Sequence, residues 1–208
     1  MRARLGARGL PPTAYASWQA SLDASSARIL AWARADDGYA VGSTALLSVG
    51  SVSNGHGGQG AGEPGQSGEP GQSGRQGEQG EQVADALGWR HVGWHEIEHG
   101  GWNAESRSLS WTLYSGRRGR VVLPDAARLP ELFRERVAAS IVVERFVPIR
   151  GERGVTVTAR RDLAGAGGLS WHSSLTRGLT WSTDGVAEAA ARAVADLQSE
   201  YGSGPVGW

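Results

Sequence analysis

The stretch from Trp94 to Arg161 constrains the fold more than any other part of this chain, because its hydrophobic periodicity changes character twice. Between Ser108 and Tyr114 the side chains alternate strictly: Leu109, Trp111 and Leu113 on one side, Ser108, Ser110 and Thr112 on the other. A period of two marks a half-buried strand, whose successive side chains point to opposite faces. Turn residues at Asn103–Ser106 and Ser115–Gly116 bracket that run, so strands over 90–104, 108–114 and 118–123 are expected to form an antiparallel meander. Pro130 then opens a helix over 130–140, at the first helical position, where a missing N–H costs nothing. Glu131 complements the positive pole of that helix, and Phe133, Val137 and Ile141 share a face. The β-branched run Ile141-Val142-Val143 is stiff in a helix and returns the chain to extended structure.

The same reasoning places strands at 28–34 and 38–49, joined by the tight turn Asp36-Asp37-Gly38, and at 155–160 and 169–175. A short helical turn is expected over 83–87. A final helix over 186–201 has Asp184 as a candidate cap and the stripe Val186, Ala190, Val194, Leu197 and Tyr201. Strands interrupted by two helices define an α+β class: an antiparallel sandwich or partly open barrel with an internal and a C-terminal helix. At 208 residues the chain is expected to hold one domain over 28–201 around a single core. Residues 1–27 are expected to be a flexible segment with one short helix carrying Trp18 and Leu22, and 202–208 a flexible tail.

The domain is interrupted at 50–82, where no apolar periodicity survives. Glycine recurs every third residue from Gly62 to Gly80, and the hexamer Gly62–Ser67 repeats as Gly68–Ser73. A triple helix needs that spacing, because only glycine fits its axis. A run this short, poor in proline and tethered at both ends inside a domain, is expected instead to be a disordered loop. Such an insertion costs little, since loop-closure entropy rises slowly with length.

Composition narrows the function classes. All 21 basic residues are Arg, matched by 21 acidic ones, so the net charge is zero and no long-range field draws the chain to nucleic acid or a membrane surface. The absence of Cys excludes disulfides, thiol catalysis and thiolate metal sites. The charged start Met1–Leu10 lacks the apolar stretch of a signal peptide, and no segment approaches a membrane span. A cytoplasmic location is expected.

Two constellations invite a chemical reading. His95-Glu96-Ile97-Glu98-His99 matches the H-E-x-x-H spacing, which on a helix brings two imidazoles to one zinc with Glu96 as base. Glycines at 93, 100 and 101 leave room for less than two helical turns. On a strand the two histidines stand roughly 13 Å apart at about 3.3 Å per residue, too far to share a metal. No catalytic residue, metal or cofactor is therefore expected, and a zinc hydrolase using His95, Glu96 and His99 stands as the alternative. The second constellation is an anion face built from Arg117, Arg118, Arg120, Arg160 and Arg161. Interspersed Glu135, Glu144, Glu152 and Asp162 favour charged strand edges that discourage edge-to-edge pairing. The nine Trp residues fall mostly at strand positions, where core filling is the default. No glycine-rich phosphate loop opens a helix and no nucleophile elbow is present.

The order of two strands, a loop, Trp94–Ile97, Gly101–Trp111 and a helix resembles bacterial pleckstrin-homology-like domains. The segments 129–145, 147–151 and 155–161 are similar to an uncharacterised family of high-GC bacteria, and the likeness covers about 28–48 and 87–200. It implies a PH-like sandwich or barrel and no catalytic residues. Asp36 and Asp37 stand in the first hairpin loop, where lipid-binding relatives carry basic residues, so phosphoinositide binding is not expected. The resulting expectation is a non-enzymatic domain whose partner is an unidentified protein or a second copy of itself, without a membrane span and with nucleic acid an unfavoured partner. Anion or nucleic-acid binding through the Arg-rich strands is the other alternative.

Overall fold

Seven strands and one helix of this computed structural model share a first core, and four further strands with a second helix build another. Residues 9–22, 27–52, 87–165 and 167–207 are described. Of the insert expected over 50–82 and the helical turn expected over 83–87, residues 53–86 lie outside them, while 50–52 extend a strand and Leu87 begins the next one. The class is α+β: among the described residues there are three sheets, none closed into a barrel, and three α-helices.

The first sheet has the order β1-β2-β3-β4, with β1 Ile29–Ala35, β2 Gly38–Ser43, β3 Leu46–Val52 and β4 Leu87–Gly93. The run 38–49, expected as one strand, is folded into a hairpin at Ser43. The Ser43 hydroxyl accepts from the Ala45 and Leu46 amides and donates to the Leu46 carbonyl, a local alternative to continuing the ladder. The strand expected over 90–104 is likewise broken. A 3-10 turn, Trp94–Glu96, separates β4 from β5, and the Glu96 carboxylate accepts from the Gly93 amide at 2.7 Å.

The second sheet is the meander β5 Ile97–Asn103, β6 Ser108–Leu113 and β7 Arg118–Val122. Its inner residues Ile97, Leu109, Trp111, Leu113 and Val121 face Ala33, Ala40, Leu47 and Val49 of the first sheet. Helix α2, Leu129–Ser140, closes this core with Leu129, Leu132 and Phe133. A Cβ on Gly42 of β2 would come within 2.6 Å of Leu132, so the missing side chain sets how closely α2 approaches. Trp94 is fully buried beneath the helix, edge-on to Phe133 at 6.0 Å, with its Nε1 donating to the Ser43 carbonyl.

The third sheet, β11-β10-β9-β8, comprises β8 Ile141–Arg150, β9 Arg153–Arg161, β10 Leu169–Leu175 and β11 Val206–Gly207. Val155, Val157, Ala159 and Trp171 meet Val186, Ala190, Val194 and Leu197 of helix α3, Val186–Tyr201. The expected apolar stripe is buried except for exposed Tyr201. Asp184 does not cap the helix: Gly185, at φ 79°, is the N-cap and makes no side-chain bond.

The expectation of one core is corrected to two main clusters, with a third under the N-terminal helix α1, Pro12–Ala20. The N-terminal segment holds the expected short helix, and the C-terminal tail holds a short strand. Trp18 of α1 is 1% exposed on the outer face of the first sheet, and β11 pairs in parallel with β10. No helix among the described residues is long and apolar enough to cross a membrane.

Candidate functional site

His95 and His99 are committed to different surroundings. His95 sits in the 3-10 turn with its Nδ1 3.6 Å from an Asp162 carboxylate oxygen. His99 lies exposed on β5, its Nδ1 3.7 Å from Glu98. Glu96 bonds to the Gly93 amide rather than to either ring. Among the described residues no three His, Asp or Glu side chains gather in a way that could hold a metal ion. His95, expected on a strand, lies instead in the 3-10 turn beside Asp162, while His99 on β5 lies beside Glu98.

The five candidate arginines also divide. Arg118 and Arg120 project from β7 onto the outer face of the second sheet, and Arg117 is exposed in the turn before them. Arg161 is exposed at the end of β9 in a different sheet. Arg160 is only 3% exposed and takes no part in an exposed anion face, which corrects the expected set.

Arg160 instead joins the two halves. Its Nε donates to Tyr114 Oη at 3.1 Å, and its Nη1 donates to the Val137 carbonyl at 3.1 Å and to Ser140 Oγ at 2.8 Å. Val137 and Ser140 belong to the last turn of α2, where carbonyls lack helical partners and the dipole is negative. That pole is what accepts a guanidinium having no ion-pair partner among the described residues. Tyr114 also stacks on His172 of β10, ring centroids 3.8 Å apart and planes 10° from parallel. Burial, then the Arg160 charge, then His95 lower the pKa of His172 to about 4. The neutral ring therefore occupies the joint at physiological pH.

The outer face of the second sheet is the more open surface. Cross-strand register sets His99, Thr112 and Arg118 in one row and Gly101, Ser110 and Arg120 in the next. A shallow depression of about 450 Å³ is lined by His99, Ser110, Thr112, Arg118 and Arg120, with no carboxylate in its wall. Two glycines let its floor lie close on the residues beneath it. A Cβ on Gly119 would collide with the Trp111 indole, and one on Gly100 would come within 2.6 Å of the Ser110 carbonyl and 2.8 Å of Phe133. The arrangement offers guanidinium, hydroxyl and imidazole donors on a flat support, which suits anion recognition. The Ser108-Ser110-Thr112 alternation marked this face in the sequence, whereas nothing in the sequence marked Tyr114 or His172 as partners of Arg160.

Comparison with protein-family models, with curated proteins and with solved structures gave no match.

Proposed function

We propose that the chain is a non-enzymatic binding module of PH-like build that acts through protein contacts, including contacts with a second copy of itself. Four antiparallel strands, then three, then a helix over their shared core support the PH-like reading. The observation that carries the protein-contact reading is β8. This strand of ten residues ends its sheet, and its outer edge has no strand partner among the described residues. Phe146, in the middle of β8, is 48% exposed, its ring lying over Gly154 on the face opposite α3. An open edge with an exposed aromatic is a template for strand addition. Register shifts at Ile141/Val143 and Pro148/Arg150 confine that template to its central residues. A confined edge favours a closed two-fold pair over an open fibre.

Light scattering across a concentration series tests the proposal. The wild-type chain is expected to approach twice its monomer mass as concentration rises, and Phe146→Glu to stay monomeric with an unchanged melting temperature. A wild-type chain that stays monomeric throughout, or a variant that pairs equally well, contradicts it.

A further inference from the structure

The outer edge of β7 offers a second, chemically distinct docking strand. Among the described residues, β7 from Arg118 to Val122 pairs only with β6, and the bridge between Arg34 and Asp125 lies beyond the strand. The Leu113 amide donates to the Arg117 carbonyl across the hairpin. Narrow and wide pairs alternate in an antiparallel ladder, so Gly119 bonds inward to Trp111 while the backbone groups of Arg118 and Arg120 point outward. The two residues whose main chain is open to a newcomer are thus the two whose guanidinium groups stand on the outer face.

Neither guanidinium enters an ion pair among the described residues. They are two residues apart, about 6.6 Å along the strand, the same interval at which alternate side chains of an extended peptide recur. A strand added to β7 would place such side chains directly opposite Arg118 and Arg120, with Cβ atoms roughly 5 Å away. Ser110 and Thr112 stand behind the arginines in the same rows. The position between the two acids would come opposite Gly119, on the face that carries the Trp111 indole, which an apolar side chain suits.

We infer that the β7 edge docks an extended segment of a partner protein bearing Asp or Glu at alternate positions, with an apolar residue between them. The zero net charge of the chain favours this discrete, register-dependent partner over a polyanion, which needs a broad basic field. The inference stands apart from β8, so either edge can fail without the other.

Fluorescence anisotropy on the full chain tests it with a labelled peptide of alternating Glu and Val. Its controls are an isomer of equal composition with the Glu residues adjacent, a single-stranded oligonucleotide and phosphatidylserine vesicles. The alternating peptide is expected to bind best. Its affinity should fall roughly tenfold or more for the isomer, and likewise for Arg118→Ala/Arg120→Ala, as loss of two charge-assisted pairs requires. Equal binding of the two peptides, binding unchanged in the variant, preference for oligonucleotide or vesicles, or no binding would each overturn it. The last result would leave the arginines as edge charges that merely repel strands.

Discussion

Arg160 brings a positive charge into the interior and meets it with three neutral acceptors: Tyr114, Val137 and Ser140. Around it stand His172 stacked on Tyr114, His95 and the Asp162 carboxylate. Burial first, then the Arg160 charge and His95, makes His172 intolerant of a further proton. His172 has a folded pKa near 4, below its ordinary 6.5, so the unfolded chain binds the proton more readily. The stabilisation is therefore complete above about pH 6.5 and is lost as pH falls toward 4. The melting temperature is expected to drop over that window, and His172→Phe, which keeps the stack on Tyr114, is expected to drop less. Identical slopes for the two proteins would contradict this assignment. None of the cluster was legible beforehand: composition shows that Arg160 is charged, but only the pairing of β9 decides which face it takes.

Helix α1 shows how an element too weak to stand alone is held. Nine residues make a marginal helix in water, and its amphipathicity is slight. Trp18 supplies the anchor: its ring is buried, and its Nε1 donates to Ser48 Oγ at 2.8 Å, which also contacts His91. Trp89 adds a bond from its Nε1 to Ser17 Oγ. Trp18→Ala is expected to cost about 3–5 kcal/mol, the usual range for removing a buried large aromatic. Chemical denaturation would measure it, and a loss below about 1 kcal/mol would mean that α1 does not dock as described. Elements with a long, clean period were the legible ones: β10 and α3 match their expected spans, as does α2 to within one residue. The bends at Ser43 and Trp94 were not. Each depends on a side chain bonding to nearby backbone, Ser43 to Leu46 and Glu96 to Gly93, and such bonds leave no trace in hydrophobic periodicity.

At the scale of the molecule, two apolar cores meet across a polar joint of Arg160, Tyr114, His172 and the C-terminal pole of α2. Apolar burial holds each core together, while the joint relies on directional bonds, so the relative setting of the two sheets is specified more by geometry than by burial. This construction puts β7 at one edge of the second sheet and β8 at one edge of the third, consecutive strands separated by α2. Arginines guard the first. Exposed Phe146 marks the second, the edge proposed to pair with a copy of the same chain. Amide hydrogen exchange followed as a function of protein concentration addresses that claim most directly, because pairing protects only the strand that pairs. The account predicts that central amides of β8 between Val143 and Val147 slow as concentration rises, while those of β1 and β6 stay constant. Exchange in β8 that is independent of concentration would contradict it.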